Sequence, residues 1–122
     1  MSAKQVLVVD DSTTIRLYHQ QILESAGMRV TQAANGYEAL EKALSQHFDL
    51  FLVDVNMPMM DGYVFLEKLR EISSAPAIVI SSEAGPQDAQ RAYAVGASLY
   101  IVKPVDPHQL LTQIKMLTGA EP

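Results

Sequence analysis

The chain has 122 residues, of which 48% are hydrophobic, a size and composition that suit one domain with its own core and leave no room for a second. It contains no cysteine, which removes disulfides, thiolate metal sites and a cysteine nucleophile from consideration. The formal charge of −5, from 14 acidic and 9 scattered basic residues, argues against direct nucleic-acid binding, which draws its affinity from clustered Lys and Arg.

Met1 to Lys4 leads directly into an apolar run with no basic, extended hydrophobic leader. No stretch approaches the ~18 apolar residues of a membrane span, so a cytoplasmic protein without membrane contact is expected. Val6 to Val9 reads as a first strand. A helix beginning near Ser12 or Thr13 follows, with Ile15, Ile22 and Leu23 inward and Gly27 able to take the left-handed conformation that ends it. Met28 to Ala33 mixes Val30 with Arg29, Thr31 and Gln32, as a partly exposed edge strand would. A second helix opens at Asn35, with Glu38 placed for a capping box and Ala39, Leu40, Ala43 and Leu44 as its stripe.

Leu50 to Val53 and Ala77 to Ile80 are continuous apolar runs of the kind buried on both faces of a parallel sheet. Between them a third helix spans Gly62 to Ile72 through Val64, Phe65, Leu66 and Leu69. A weaker, alanine-rich helix runs from after Pro86 to before Gly96. Leu99 to Val102 is the fifth strand, and a last helix takes Asp106 as cap, Pro107 as its first residue and Leu110, Leu111, Ile114 and Leu117 as its stripe. Gly119 to Pro122 reads as a frayed tail. Five strands alternating with five helices predict an α/β three-layer sandwich with a parallel sheet, forming a single domain over residues 1–122.

In such a sheet the strands end along one edge, where ligands bind. Asp10, Asp11, Asp54, Ser81 and Lys103 all stand at strand ends, so distant residues are expected to converge there. At ~4 Å and an effective dielectric near 20, each pair of carboxylates costs about 4 kcal/mol. A cation must offset this repulsion, and an all-oxygen set favours magnesium. Zinc is disfavoured because His19, His47 and His108 fall on predicted helices or helix ends away from this edge. With an ion present, Asp54 can act as a nucleophile toward phosphorus, Lys103 can meet a phosphoryl oxygen as a point charge, and the Ser81 hydroxyl can donate to another. Met57, Met59 and Met60 suit packing and partner contacts better than copper ligation.

The stretches Val8-Val9-Asp10-Asp11-Ser12, Val53-Asp54-Val55-Asn56-Met57-Pro58-Met59-Met60-Asp61-Gly62 and Tyr100-Ile101-Val102-Lys103-Pro104 resemble the receiver domains of two-component response regulators over nearly the whole chain. The resemblance implies a flavodoxin-like strand order of 2-1-3-4-5. It implies Asp54 as phosphoacceptor, Asp11 as a direct magnesium ligand, Asp10 as a ligand through water and the Asn56 main-chain carbonyl as a further ligand. Lys103 and Ser81 match the residues that hold the phosphoryl group, Ser81 being preferred over the adjacent Ser82. The Lys103–Pro104 bond is expected to be cis. Tyr100 matches an aromatic switch residue, and Asn56 and Glu83 match positions that influence the lifetime of the phosphoryl group.

The resemblance further implies a signalling module rather than a metabolic enzyme, with a sensor histidine kinase or histidine phosphotransfer protein as donor. Its output is expected through the face of the fourth helix, fifth strand and fifth helix. Asp10-Asp11-Ser12-Thr13-Thr14-Ile15-Arg16 looks most like chemotaxis-type regulators, which makes a flagellar motor switch the expected target. The alternatives are a phosphorelay intermediate or phosphate sink, and the excised receiver of a DNA-binding regulator. Against the last stand Ser98 and Leu99 where winged-helix regulators carry paired acids, Val105 in place of phenylalanine, and no effector domain after Gly119. An aspartate-nucleophile phosphatase would carry a second aspartate where this chain has Asn56.

Overall fold

The computed structural model describes residues 3–119. The strands are β1 (Gln5–Val9), β2 (Arg29–Ala33), β3 (Leu50–Asp54), β4 (Ala77–Ser81) and β5 (Leu99–Val102). The helices between and after them are α1 (Thr13–Ser25), α2 (Gly36–Ser45), α3 (Gly62–Leu69), α4 (Pro86–Ala94) and α5 (Pro107–Thr118). All pairings are parallel, in the order β2-β1-β3-β4-β5. Of the expected tail, residues 120–122 lie outside the described residues, while Gly119 takes a left-handed conformation (φ 70°) and closes α5.

Alternation along the central strands divides the core in two. Leu7, Val9, Phe51, Val53 and Val79 point to one face with Phe65, Leu66 and Leu69 of α3. Val6, Val8, Leu50, Leu52, Ile78 and Ile80 point to the other with Ile22, Leu23, Leu110 and Ile114 of α1 and α5. Side chains start most of the helices: Ser12 accepts from the Ile15 N–H (3.3 Å), Asn35 from Glu38 (2.9 Å), Asp61 from Val64 (2.9 Å) and Asp106 from Gln109 (3.3 Å). α4 has no such bond, opens at Gly85-Pro86 and buries only Ala92.

Four local expectations change. Leu44 is 71% exposed, because ~100° of rotation per residue carries it past the arc of Gly36, Ala39, Leu40 and Ala43. Val64 lies on the side of α3 opposite Phe65, Leu66 and Leu69 and is exposed for the same reason. α3 ends at Leu69 rather than Ile72, with Arg70 as its cap. Only half of the capping box forms, since the Glu38 carboxylate pairs with Lys42 at 3.0 Å. Among the described residues no helix is long and apolar enough to cross a membrane.

Candidate functional site

β1 and β3 are neighbours with Val9 opposite Val53, so the chain delivers Asp10 and Asp54 side by side at the carboxyl edge, where strand order reverses. Asp11 follows Asp10 into the turn before α1. One oxygen from each of these three carboxylates lies within 4.8 Å of the others. Asp10 and Asp54 are each only 3% exposed, whereas Asp11 is open to solvent. Gly62 lets α3 start hard against this edge: a Cβ there would stand 2.5 Å from the Asp54 carbonyl oxygen.

Lys103 Nζ, arriving from the end of β5, lies 3.0 Å from Asp54 Oδ1. The contact is an ion pair just outside strict hydrogen-bond geometry, so the ammonium of Lys103 is the partner of this buried oxygen. The Lys103–Pro104 bond is cis, as the resemblance implied.

The electrostatics are those of a site that needs a cation. Burial, with Asp54 and Asp11 adding to it, pushes the Asp10 carboxyl up to about 6 against the opposing pull of the Ser12 N–H and Lys103. Burial also raises the Asp54 carboxyl, with Asp11 adding to the effect and Lys103 opposing it. The donors are all oxygen, and among the described residues no histidine joins the cluster. A buried carboxylate oxygen whose partner is a single lysine ammonium, beside an exposed carboxylate, fits a hard divalent ion such as magnesium, which keeps several of its waters.

Ser81, the last residue of β4, is fully buried and its Oγ accepts from the Glu83 N–H at 3.0 Å. Ser82 is exposed. The hydroxyl proton of Ser81 thus has no partner among the described residues. Tyr100 is half-buried and its hydroxyl donates to the Glu83 carbonyl at 2.7 Å. Asn56 and Glu83 are exposed and line, with Asp11, Tyr63 and Arg91, a cleft of about 640 Å³ beside the acids. Met57 and Met60 are buried, while Met59 is exposed at φ 69°.

Sequence reasoning did not find four residues near the site. Tyr63 is buried at the start of α3, donates to the Asp88 carbonyl at 3.3 Å and carries the Arg91 guanidinium 4.3 Å from its ring centre. Burial and then the neighbouring Tyr100 push its hydroxyl up to about 12. His19 is buried where α1 meets the loop after β5, sharing a cleft of about 370 Å³ with Ile15, Tyr18, Lys103 and Pro104. It therefore sits nearer the site than its helical position suggested. Burial, then the Lys103 charge, pushes it down to about 4. Arg16 Nη1 donates to the Asp10 carbonyl at 2.6 Å.

A family model described as the response regulator receiver domain matches residues 6–115. The transcriptional regulatory protein ResD of Bacillus subtilis is 33% identical over 113 residues, covering 93% of this chain and 47% of ResD. The chain spans about half the length of the curated relatives it matches. Among solved structures, the Vibrio cholerae chemotaxis protein CheY4 superposes with a TM-score of 0.90 at 38% identity, covering 95% of this chain and 99% of that one. The response regulator TrrA of Thermotoga maritima, solved in complex with Mg(2+)-BeF, gives a TM-score of 0.85 at 30% identity, covering 93% of this chain and 98% of that one.

Proposed function

The chain belongs to the response regulator receiver domain family of phosphorylation-dependent two-component signalling, and from that premise we propose that it is a switch whose phosphoacceptor is Asp54. The observation that carries this reading is the buried Asp54 carboxylate, ion-paired to Lys103 at 3.0 Å and in reach of two further carboxylates. The donor is the phosphohistidine of a sensor histidine kinase or histidine phosphotransfer protein. An Asp54 oxygen attacks phosphorus, the P–O bond forms as the P–N bond of phosphohistidine breaks, and the departing imidazole takes a proton from solvent.

Asp10, Asp11 and Asp54, with the Asn56 carbonyl, are the residues that would hold magnesium, and the ion supplies charge neutralisation for the acids and the phosphoryl oxygens. Lys103 opposes the rise that burial gives the Asp54 carboxyl and then faces the phosphoryl group. Ser81 donates its free hydroxyl proton to a phosphoryl oxygen, shifting the β4–α4 loop that its Oγ now holds through Glu83. Release of that loop frees Tyr100, whose hydroxyl is bonded to the same residue. Driving a population from 1:99 to 99:1 takes about 5.5 kcal/mol, and two or three charge-assisted hydrogen bonds at roughly 1.5 to 3 kcal/mol each supply it. Asn56 and Glu83, at the mouth of the cleft, modulate water attack on the acyl phosphate.

The output face is α4–β5–α5. Its support is that α4 buries a single residue and that Tyr93 and Val102 stand exposed there. The chain acts as one cytoplasmic receiver unit, with a chemotaxis partner such as a flagellar motor switch as target. The 38% identity to the chemotaxis protein CheY4, against 33% to the transcriptional regulator ResD, supports this target. Incubation with a phosphohistidine donor and magnesium should add one phosphoryl group by mass, and Asp54→Asn should accept none. A pull-down with beryllofluoride-loaded protein then tests the output. If the Asp54→Asn chain accepted the group or kept the full partner response, the assignment would be wrong.

A further inference from the structure

Resting on the reading of the acid cluster as a divalent-cation site, we infer that Arg16 is a positioning residue for Asp11, aiming its carboxylate by clamping the peptide plane that precedes it. Among the described residues the Asp11 side chain makes no hydrogen bond, in contrast to Asp10, whose Oδ1 accepts from the Ser12 N–H at 2.9 Å, and Asp54, which faces Lys103. Its direction is therefore set by the backbone on either side. The peptide after Asp11 contains the Ser12 N–H and is held by the Asp10 carboxylate. The peptide before it is planar, so its Asp10 carbonyl and Asp11 N–H move together, and that carbonyl is held by Arg16 Nη1 at 2.6 Å.

The guanidinium is itself fixed from two other sides. Its Nε donates to Gln32 Oε1 of β2 at 2.9 Å, and its Nη2 donates to Thr13 Oγ1 at 3.2 Å. The Gln32 amide in turn donates to Gln20 of α1. Three anchors on a planar fork give a defined orientation that an ammonium on a flexible stem does not reproduce. Arg16 thus ties the first turn of α1 and the edge strand β2 to the one acid that no side-chain bond orients.

The sign of the effect separates this role from a merely electrostatic one. A cation near a cation site repels the ion, so Coulomb's law alone predicts that Arg16→Met binds magnesium more tightly. Positioning predicts the opposite, by about tenfold, the low end of the ~10–100-fold typical when a group that orients a metal ligand is removed. Magnesium titrations followed by amide shifts, with no phosphodonor present, measure this. The Asp11 amide-to-α-proton coupling in the ion-free chain reports whether its φ has become averaged. Gln32→Leu, which leaves the charge in place and removes one anchor, is expected to weaken binding a few-fold, and Arg16→Lys to recover only part of the loss. Magnesium affinity in Arg16→Met equal to or above wild type, or full recovery in Arg16→Lys, would overturn the inference. Failure of the wild-type chain to bind magnesium would instead sink the cation site and the inference with it.

Discussion

The two ends of the sheet each hold a cation against buried backbone or acid, and they treat it in opposite ways. Where β4 and β5 begin, the Arg70 guanidinium spends its donors on three carbonyls. Nε and Nη2 reach Gly96 at 3.0 and 2.7 Å, and Nη1 reaches Ser73 at 3.1 Å and Ala75 at 2.7 Å. Where the strands end, Lys103 pairs with one carboxylate oxygen, beside acids that burial pushes toward protonation. The first end has its polar groups matched and holds α3 to the α4–β5 turn. The second is left short of charge and donors, which is the condition for binding something else.

Arg70 gives the largest expected effect. Arg70→Met leaves three partly buried carbonyls without their donor and should lower unfolding free energy by about 3 kcal/mol, as read from urea denaturation. The folded remainder should still accept a phosphoryl group. A loss of magnesium affinity in the folded Arg70→Met protein would show that the two ends are not independent, and the comparison would break.

At the other end the sign reverses. The Asp10 carboxyl, raised from its ordinary 3.8 to about 6, binds its proton more tightly in the folded chain than in the unfolded one. In chelator, this carboxyl's contribution to stability is therefore fully present below about pH 4, is lost as pH rises through about 6, and stays lost above it. Asp10→Asn has no such loss and should be about 2 kcal/mol more stable than wild type at pH 8 without metal. Added magnesium should narrow the gap by stabilising wild type more than Asp10→Asn. A pH-independent difference between the two proteins in chelator would remove burial of charge as the cause.

This contrast also explains what was legible in the sequence. Strands, cap residues and the acids are local signals: Asp10 and Asp54 could be placed because each follows a run of strand residues, and parallel topology brings such ends together. Ser81 is parted from Ser82 by the family pattern rather than by periodicity: all of β4 is buried, and Ser82 is exposed because it lies past the end of the strand. Arg70, Arg16, Tyr63 and His19 gave no such signal. Each acts on an element distant in the chain, Arg70 on Gly96 and Arg16 on Gln32, and nothing in helical periodicity says which carbonyl a long side chain will reach. The exposure of Leu44 and Val64 lies between these cases, since the helical angle was available but the width of the buried arc was not.

Ser81 tests the carboxyl edge with a smaller change. Ser81→Ala removes the acceptor for the Glu83 N–H at a fully buried position and should cost about 1 kcal/mol in the unphosphorylated protein. If beryllofluoride stabilised Ser81→Ala as much as wild type in thermal unfolding, the hydroxyl would have no part in holding the phosphoryl group.

The smallest stability effect belongs to Asp11, and it separates burial from proximity within one cluster. Asp10 and Asp11 are adjacent in sequence and both lie within reach of Asp54, yet only Asp10 is buried and only Asp10 has a hydrogen bond to lose. If repulsion among carboxylates dominated the cost of the site, neutralising either acid would stabilise the ion-free chain alike. If desolvation dominates, as its leading place among the causes of the Asp10 shift implies, the exposed acid contributes little. Asp11→Asn should then change unfolding free energy in chelator by no more than about 0.5 kcal/mol, the usual range for a surface substitution. Its magnesium affinity should nonetheless fall at least as far as that of Asp10→Asn, because an acid open to solvent can meet a hydrated ion directly. A stabilisation by Asp11→Asn equal to that of Asp10→Asn would transfer the cost of the site from burial to charge crowding.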